Sequence, residues 1–347
     1  MHSEIKTLHL VEPFRIAHGT SATRQVLRVA EGDRIAEAPF VPYYGEDPQQ
    51  TLAVLNQPVL PEQLPRTAAL ALNLLRHDIV GHATGQNLAA AARLKLGSPA
   101  RPAPPGCRSF SIPDDLTAFA AKVSAIAKQF RVLKLKLGSG DLGLDLAIVS
   151  VARYAAPDAQ LLLDVNGGWD LHEAALMIEK LAHYSPALIE QPIHHRHGID
   201  AWEELRASLP GNPPPIFADE SVQNAADIPA LADFIDGVNI KLLKCGSFDA
   251  AIAMIEAARA HSLQILLGCM IETRVGTTAA AHLAPWADWI DLDGHFYVAN
   301  DDFTGTEYAA PGTPLMPERP GIGPTPRTNP LFFKPPARRI PPPRSTP

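Results

Sequence analysis

"RVLKLKLGSG", residues 131–140, decides how this chain is read. Apolar and basic residues alternate, and Gly138 and Gly140 close the run, the pattern of a β-strand. A period of two sends Val132, Lys134 and Lys136 to one face and Leu133, Leu135 and Leu137 to the other. The surrounding chain alternates short apolar strands with alanine-rich helical stretches, so both faces are expected to be covered. Two lysines then point into an interior, where an unpaired ammonium is costly.

The same pattern continues downstream. "QLLLDVNG", "ALIEQPI", "PIFADES", "GVNIKLLKCG", "QILLGCM" and "WIDLDG" read as strands, with "AALMIEKLAHY" and "DAAIAMIEAARAH" among the helices between them. Lys136, Asp164, Glu190, Asp219, Lys241, Cys269 and Asp291 mark successive strands at intervals of 28, 26, 29, 22, 28 and 22 residues. One βα unit of an eight-fold barrel takes about 30 residues. With "RSFSI" as the first strand, this predicts an α/β fold with a (β/α)7-8 TIM-like barrel. No GxGxxG or GxxxxGK[ST] phosphate loop occurs, which disfavours a nucleotide-binding doubly wound sheet.

Residues 1–105 have another character and read as α+β. "VLRVAEGDRIAEA" is a hairpin around Gly32-Asp33, and "RTAALALNLLRHDIVGHATG" is a helix ended near Gly81 or Gly85. "LGSPARPAPPG" is a linker. Of the 34 prolines, 13 lie between Pro311 and Pro347, and "KPPARRIPPPRSTP" is expected to be an extended, partly disordered tail.

The 347 residues are 46% apolar and 19% charged, as in a globular protein with a real core. A net charge of −7 without a Lys/Arg-rich run gives no sign of nucleic acid or anionic membrane as partner. No signal peptide and no membrane-spanning stretch is read, and three cysteines suit reduced thiols. The expected location is cytoplasmic, and a homo-oligomer is compatible with the sequence.

In a parallel barrel the active site forms at the C-terminal strand ends. Asp164, Glu190 and Asp219 end three consecutive strands. A lone aspartate there is usually a helix cap or a solvated carboxylate. Three together repel strongly unless a cation sits among them, and the set suits Mg²⁺. Lys136 lies one strand before the carboxylates and Lys241 one strand after them. Near a metal and a second cation, a desolvated lysine is expected to have a lowered pKa and to act as a base. The alternative is a set of lysines that merely hold the carboxylates by ion pairing. Lys134 supports Lys136 or the substrate.

"KLKLG", "LLLDVNGGW", "ALIEQPI", "FADES" and "VNIKLLKCGS" together resemble the enolase superfamily, muconate-lactonizing subgroup. "AALALNLLRHDIVGHATG" resembles the helix of its capping domain. The resemblance implies a capping domain at 1–105, a modified barrel carrying the site at 106–300, a return to the capping domain at 301–325 and a Pro-rich tail at 326–347. It makes Lys136 and Lys241 acid/base catalysts and Asp164, Glu190 and Asp219 Mg²⁺ ligands, with Asn166 and Glu220 in support, Glu220 as a hydrogen-bond partner of a catalytic lysine.

"DLDG" places Asp291 and Asp293 on the inward side of the eighth strand and resembles the D-x-D of dipeptide epimerases, where the pair binds the substrate α-ammonium. His295 stands where the family continues with proline. The N-terminal loop "PFRIAHGTSATR" is expected to close over the barrel mouth, with His18 and Thr20 as lid contacts. Arg15 and Arg24 are not where an Ala-Glu epimerase carries its arginine, a position that falls near Gly19. The implied activity is epimerisation of a dipeptide at its C-terminal residue by two-lysine 1,1-proton transfer through an enediolate. Cycloisomerisation, o-succinylbenzoate synthesis and N-acylamino acid racemisation share much of that chemistry. A Schiff-base aldolase using Lys241 and a non-catalytic binding protein are more distant alternatives. "HHRHG", residues 194–198, reads as a solvated basic turn, and Glu272 as a pocket residue or a partner of Arg274.

Overall fold

The structure, a computed structural model, describes residues 1–327. The chain starts with a three-stranded antiparallel sheet, β1 (His2–Ile16), β2 (Gly19–Glu31) and β3 (Arg34–Phe40). Gly32, at φ 63°, makes the tight β2–β3 turn where the sequence places it. The segment read as a lid loop is instead the tip of the β1–β2 hairpin. A bulge between His9 and Phe14 shifts the register there and lets Leu10 bridge to Val298. Three helices follow: α1 (Pro48–Leu55), α2 (Arg66–Thr84) and α3 (Leu88–Leu96). In α2 the apolar residues Ala68, Leu70, Ala71, Leu74 and Leu75 recur at helical spacing and are buried. The helix stops at Gly85, whose left-handed conformation caps it, and not at Gly81.

Eight parallel strands come next in sequential order: β4 (Cys107–Phe110), β5 (Val132–Lys136), β6 (Gln160–Asp164), β7 (Leu188–Glu190), β8 (Ile216–Ala218), β9 (Gly237–Lys241), β10 (Gln264–Gly268) and β11 (Trp289–Asp291). A single parallel bridge, Gly106 to Ile290, brings the eighth strand against the first and nearly closes the barrel. Among the helices between strands are α4 (Leu116–Ile126), α5 (Leu142–Ala155), α6 (Leu171–Ala182), α7 (Gly198–Ser208), α8 (Ile228–Leu231), α9 (Leu242–Cys245), α10 (Phe248–Ala260) and α11 (Arg274–Ala281). Several start on side-chain caps, with Asp115, Asp141, Asp170, Ser247 and Thr273 accepting from first-turn amides.

The period-two reading of β5 holds. Leu133, Leu135 and Leu137 face outward into the helix-packed core. Val132 faces inward and joins Cys107, Leu162, Leu188, Phe217 and Leu266 in an apolar floor. Phe217 fills that floor because β9 begins with Gly237, where a Cβ would come within 2.4 Å of the ring. Above this floor, the inward positions carry polar groups.

The last described residues pack back on the N-terminal unit. Asp78 of α2 accepts from the Ile322 amide at 2.8 Å, and Gly321 bonds to the Gln86 carbonyl at 2.9 Å. Gly81 and Gly321 approach so closely that a Cβ on Gly81 would lie 2.6 Å from the Gly321 backbone. The Pro-rich tail from residue 328 onward lies outside the described residues. Among those described, no helix is long and apolar enough to cross a membrane.

Candidate active site

Strand register aligns the site. Lys136 pairs with Asp164 and Asp164 with Glu190 along β5, β6 and β7, while Lys241 and Asp291 both pair with Gly268 across β9, β10 and β11. All stand at C-terminal strand ends, beneath a solvent-open cleft. The N-terminal sheet roofs the cleft with Phe14, Ile16, Arg24 and Phe40, and Lys136, Asn166, Lys241, Asp291 and Asp293 line it from the barrel.

The two lysines of the K-x-K run have separate surroundings. Lys134 is fully buried, 2.9 Å from Asp164 Oδ2, 2.7 Å from Glu190 Oε2 and 2.7 Å from Asp291 Oδ2. Burial pulls its pKa down, but the three carboxylates outweigh burial and hold it well above the ordinary lysine range. Lys136, nearer the mouth, donates to Asp164 Oδ2 at 2.5 Å and to Asn166 Oδ1 at 3.1 Å. Asn166 adopts φ 50° and passes its own amide N–H to Glu220 Oε1 at 3.1 Å. Glu220 therefore reaches Lys136 through Asn166, and among the described residues no lysine donates to it directly. Burial pushes the Glu220 carboxyl up to about 7, and Asp219 adds to the shift.

Across the ring, Lys241 donates to Asp219 Oδ2 at 2.6 Å. Burial favours the neutral amine, but Asp219 and Glu190 prevail and keep the ammonium well above its ordinary range. Asp219 also meets Lys244, which donates to the carbonyls of Val222 and Asn239 at 3.0 and 2.7 Å. Burial would raise the Asp219 pKa, but Lys241 and Lys244 bring it below the ordinary carboxylate range. Burial likewise opposes ionisation of Asp164, and Lys134, Lys136 and Lys241 more than offset it. Glu190 stays on the other side: burial and Asp164 push it up to about 8.

The three carboxylates fit a hard divalent cation in donor type. Glu190 Oε2 and Asp219 Oδ1 are buried without an aligned hydrogen-bond donor, although Lys134 and Lys244 lie at ion-pair distance. The oxygens are not gathered into a preformed cluster: among the described residues no three His, Cys, Asp or Glu stand at metal-holding spacing. The lysine ammoniums neutralise the carboxylates, and a cation would share or take over that role.

Asp291 and Asp293 are buried and face the cleft together, each with a resident cation. Asp291 holds Lys134, and Asp293 accepts from Arg108 Nη1 at 3.2 Å, from the Ser109 amide at 2.7 Å and from the Tyr297 hydroxyl at 3.3 Å. Burial pushes Asp293 up to about 6, with Arg108 opposing and Asp291 adding to the shift. Arg108 lies over the rings of Phe296 and Tyr297, at 4.4 and 5.0 Å.

His18 packs on Tyr43 and His194, with centroids 4.8 and 6.4 Å apart, and burial followed by Lys136 lowers its pKa. Thr20 is exposed opposite Arg15 at the hairpin tip and does not reach the cleft. Arg15 pairs with Asp114 at the surface. His295 is buried against Thr277, away from the cleft. Glu272 takes the Met270 amide, while Arg274 pairs with Asp301 and Glu307. Cys107, Cys245 and Cys269 are free thiols, all raised in pKa by burial, so none is a ready thiolate.

Residues the sequence did not single out complete the site. Asn239 donates to Glu190 Oε1 at 2.6 Å, in space left open because β10 ends in Gly268. Gln191 Oε1 takes the Asp219 amide at 2.9 Å and so ties the fourth strand end to the fifth. "IEQP" and "VNIK" carry these residues, yet an amide beside an ionisable residue gives no chemical signal of its own.

A family model described as "Enolase C-terminal domain-like" matches residues 117–329, and the chain belongs to that family. An L-Ala-D/L-Glu epimerase of Bacteroides thetaiotaomicron is 31% identical over 342 residues, spanning 92% of this chain and 85% of the relative. A hydrophobic dipeptide epimerase of a Flavobacteria bacterium (strain MS024-2A) is 39% identical over 198 residues, 55% of this chain. That alignment spans only 54% of the relative's length. Among solved structures, the dipeptide epimerase of Enterococcus faecalis V583, complexed with Mg and L-Leu-L-Tyr, superposes with a TM-score of 0.81 at 26% identity, covering 93% of this chain and 98% of that one.

Proposed function

We propose that this protein is an Mg²⁺-dependent dipeptide epimerase that inverts the Cα of the substrate's C-terminal residue. The observation that carries the reading is the placement of Lys136 on the second strand and Lys241 on the sixth, both lining one cleft with the carboxylates between them. Asp164, Glu190 and Asp219 would hold the cation, which supplies positive charge to the substrate carboxylate as negative charge builds beside it.

The chain's own residues do the rest. Asp291 and Asp293 attract the α-ammonium and fix which end of the dipeptide enters the barrel. The Cα then sits between the two lysines. One lysine, as the free amine, takes the Cα proton from one face, and the electron pair of the broken C–H bond passes toward the carboxylate. The other, as the ammonium, gives a proton to the opposite face, and the centre is inverted. Lys241, kept protonated by Asp219, starts as the donor for one direction of reaction. Asn166 holds Lys136 in place, and the roof of Phe14, Ile16 and Phe40 limits water.

Cα–H exchange in D₂O, read by NMR from the L,L and L,D epimers separately, tests the reading. Lys136→Ala and Lys241→Ala should both abolish inversion while retaining exchange of opposite epimers. Exchange of the same epimer by both variants would refute the two-base assignment.

One observation favours a second reading, racemisation of an N-acylated amino acid. Lys134 and Arg108 already neutralise Asp291 and Asp293, so the site has a weaker demand for an ammonium. Faster turnover of N-acetylated than of free dipeptides would favour it.

A further inference from the structure

Lys241 ends β9 and Lys244 follows on the single turn of α9. At that spacing both fall on one side of the chain, and both reach Asp219. They do so differently. Lys241 lines the cleft and donates to Asp219 Oδ2 at 2.6 Å. Lys244 has no exposed side-chain surface. An ammonium has three N–H donors, and here three backbone carbonyls take them: those of Asp219, Val222 and Asn239, the last two at 3.0 and 2.7 Å. The donors are spent on the main chain. Asp219 Oδ1, at ion-pair distance, feels the charge but receives no hydrogen bond among the described residues, so its lone pairs are left for another partner.

The three carbonyls belong to the backbone that carries the candidate cation ligands. Asp219 and Val222 are the ends of one tight turn, closed by the Val222 amide on the Asp219 carbonyl at 3.1 Å. Gln191 Oε1 grips the same turn from the neighbouring strand end, taking the Asp219 and Ser221 amides at 2.9 and 3.2 Å. Asn239 lies on β9, and its side chain donates to Glu190 Oε1. Lys244 thus ties the turn that presents Asp219 to the strand that orients Glu190. Without it, buried carbonyls lose a donor, a cost the turn can relieve only by moving.

We infer that Lys244 is a positioning residue: it fixes the turn that aims Asp219 at the divalent cation and so strengthens cation binding. This rests on Asp219 being a cation ligand, as in the reading above. A counter-charge alone would do the opposite, because an ammonium beside a carboxylate repels the cation that the carboxylate attracts.

Two variants separate clamp from charge. Lys241→Met and Lys244→Met each remove one positive charge from Asp219, but only the second removes the carbonyl clamp. Mg²⁺ is titrated into the metal-free full chain without dipeptide, and Kd is read by calorimetry. Lys244→Met should bind Mg²⁺ about 10- to 100-fold more weakly than Lys241→Met, the range for losing a group that orients a metal ligand. Kd values within roughly threefold of each other, or tighter binding by Lys244→Met, overturn the inference. A lowered Tm with equal Kd values shows a merely structural lysine and overturns it too. Should Lys244→Met fail to fold, Lys244→Arg replaces it. The charge is kept, but a planar guanidinium cannot bring three donors to the same three carbonyls, and Kd should rise at least roughly threefold over wild type; an unchanged Kd overturns the inference. A wild type that binds no Mg²⁺ sinks the assignment of Asp219 as a cation ligand and this inference with it. Metal binding that follows the expected order without dipeptide turnover sinks the epimerase reading alone.

Discussion

Lys134→Met is the perturbation that most directly tests the electrostatics of the barrel interior. Methionine keeps much of the length and removes the charge. Lys134 is fully buried and is shared among Asp164, Glu190 and Asp291, each within 2.9 Å. Removing one partner of a buried pair costs about 3–5 kcal/mol, because the other charge is left uncompensated. Three carboxylates lose a partner here, which places the expected loss near the top of that range, about 5 kcal/mol. That is a third or more of the roughly 5–15 kcal/mol that holds a typical domain together. The sign with pH follows from linkage. Without Lys134, Asp164 and Asp291 lose much of what holds their folded pKa values down, and Glu190, already raised, rises further. Their protonated forms are then the stable ones, so the deficit shrinks as pH falls and grows as pH rises through the raised values. Urea unfolding followed by tryptophan fluorescence at pH 5.5 and 8.5 reads both effects. A loss below about 1 kcal/mol at pH 8.5, or a deficit that grows on acidification, would refute the reasoning.

Three further outcomes are expected. KM for a free-amine dipeptide should climb as pH falls from 7 to 5, since Asp293 titrates at about 6 and its anion is lost below that, while an α-amine with a pKa of about 8 stays protonated throughout. Asp293→Asn should flatten the profile, and an unchanged profile would remove Asp293 from the amine site. Excess EDTA should abolish turnover and Mg²⁺ restore it, full activity in the chelator being the contrary result. Gly321→Ala forces a Cβ to 2.1 Å from Asp78 Oδ1 at a φ of 68°, so a loss of about 1–3 kcal/mol is expected from backbone strain alone; an unchanged Tm would show that the return segment yields freely.

The barrel could be read from the sequence because its signal is local and repeats. Short apolar strands recur at intervals of 22 to 29 residues, and most of them end at or just before a polar residue. The roof was harder. Phe14, Ile16 and Arg24 reach the cleft because the bulge in β1 resets the hairpin, and four residues of β1 oppose one of β2 there. No alternation rule locates that shift. Thr20, expected as a lid contact, therefore sits exposed at the hairpin tip. The partners of Lys134 were hidden for another reason. Asp291 is distant in sequence and becomes a neighbour only when the eighth strand meets the first. The same holds for Arg108 beside Asp293.

The lone Gly106–Ile290 bridge gives the seam of the barrel a double duty. Where a continuous backbone ladder would run, side chains take over. Asp293 accepts the Ser109 amide, Asp291 takes the Ser109 hydroxyl, and Tyr297 donates to the Ser109 carbonyl. The groups that would select the substrate's amine are thus also the rivets that close the cylinder. Specificity and mechanical closure are soldered together at this one edge. Changes there that retune the choice of amine must keep an acceptor for the first strand.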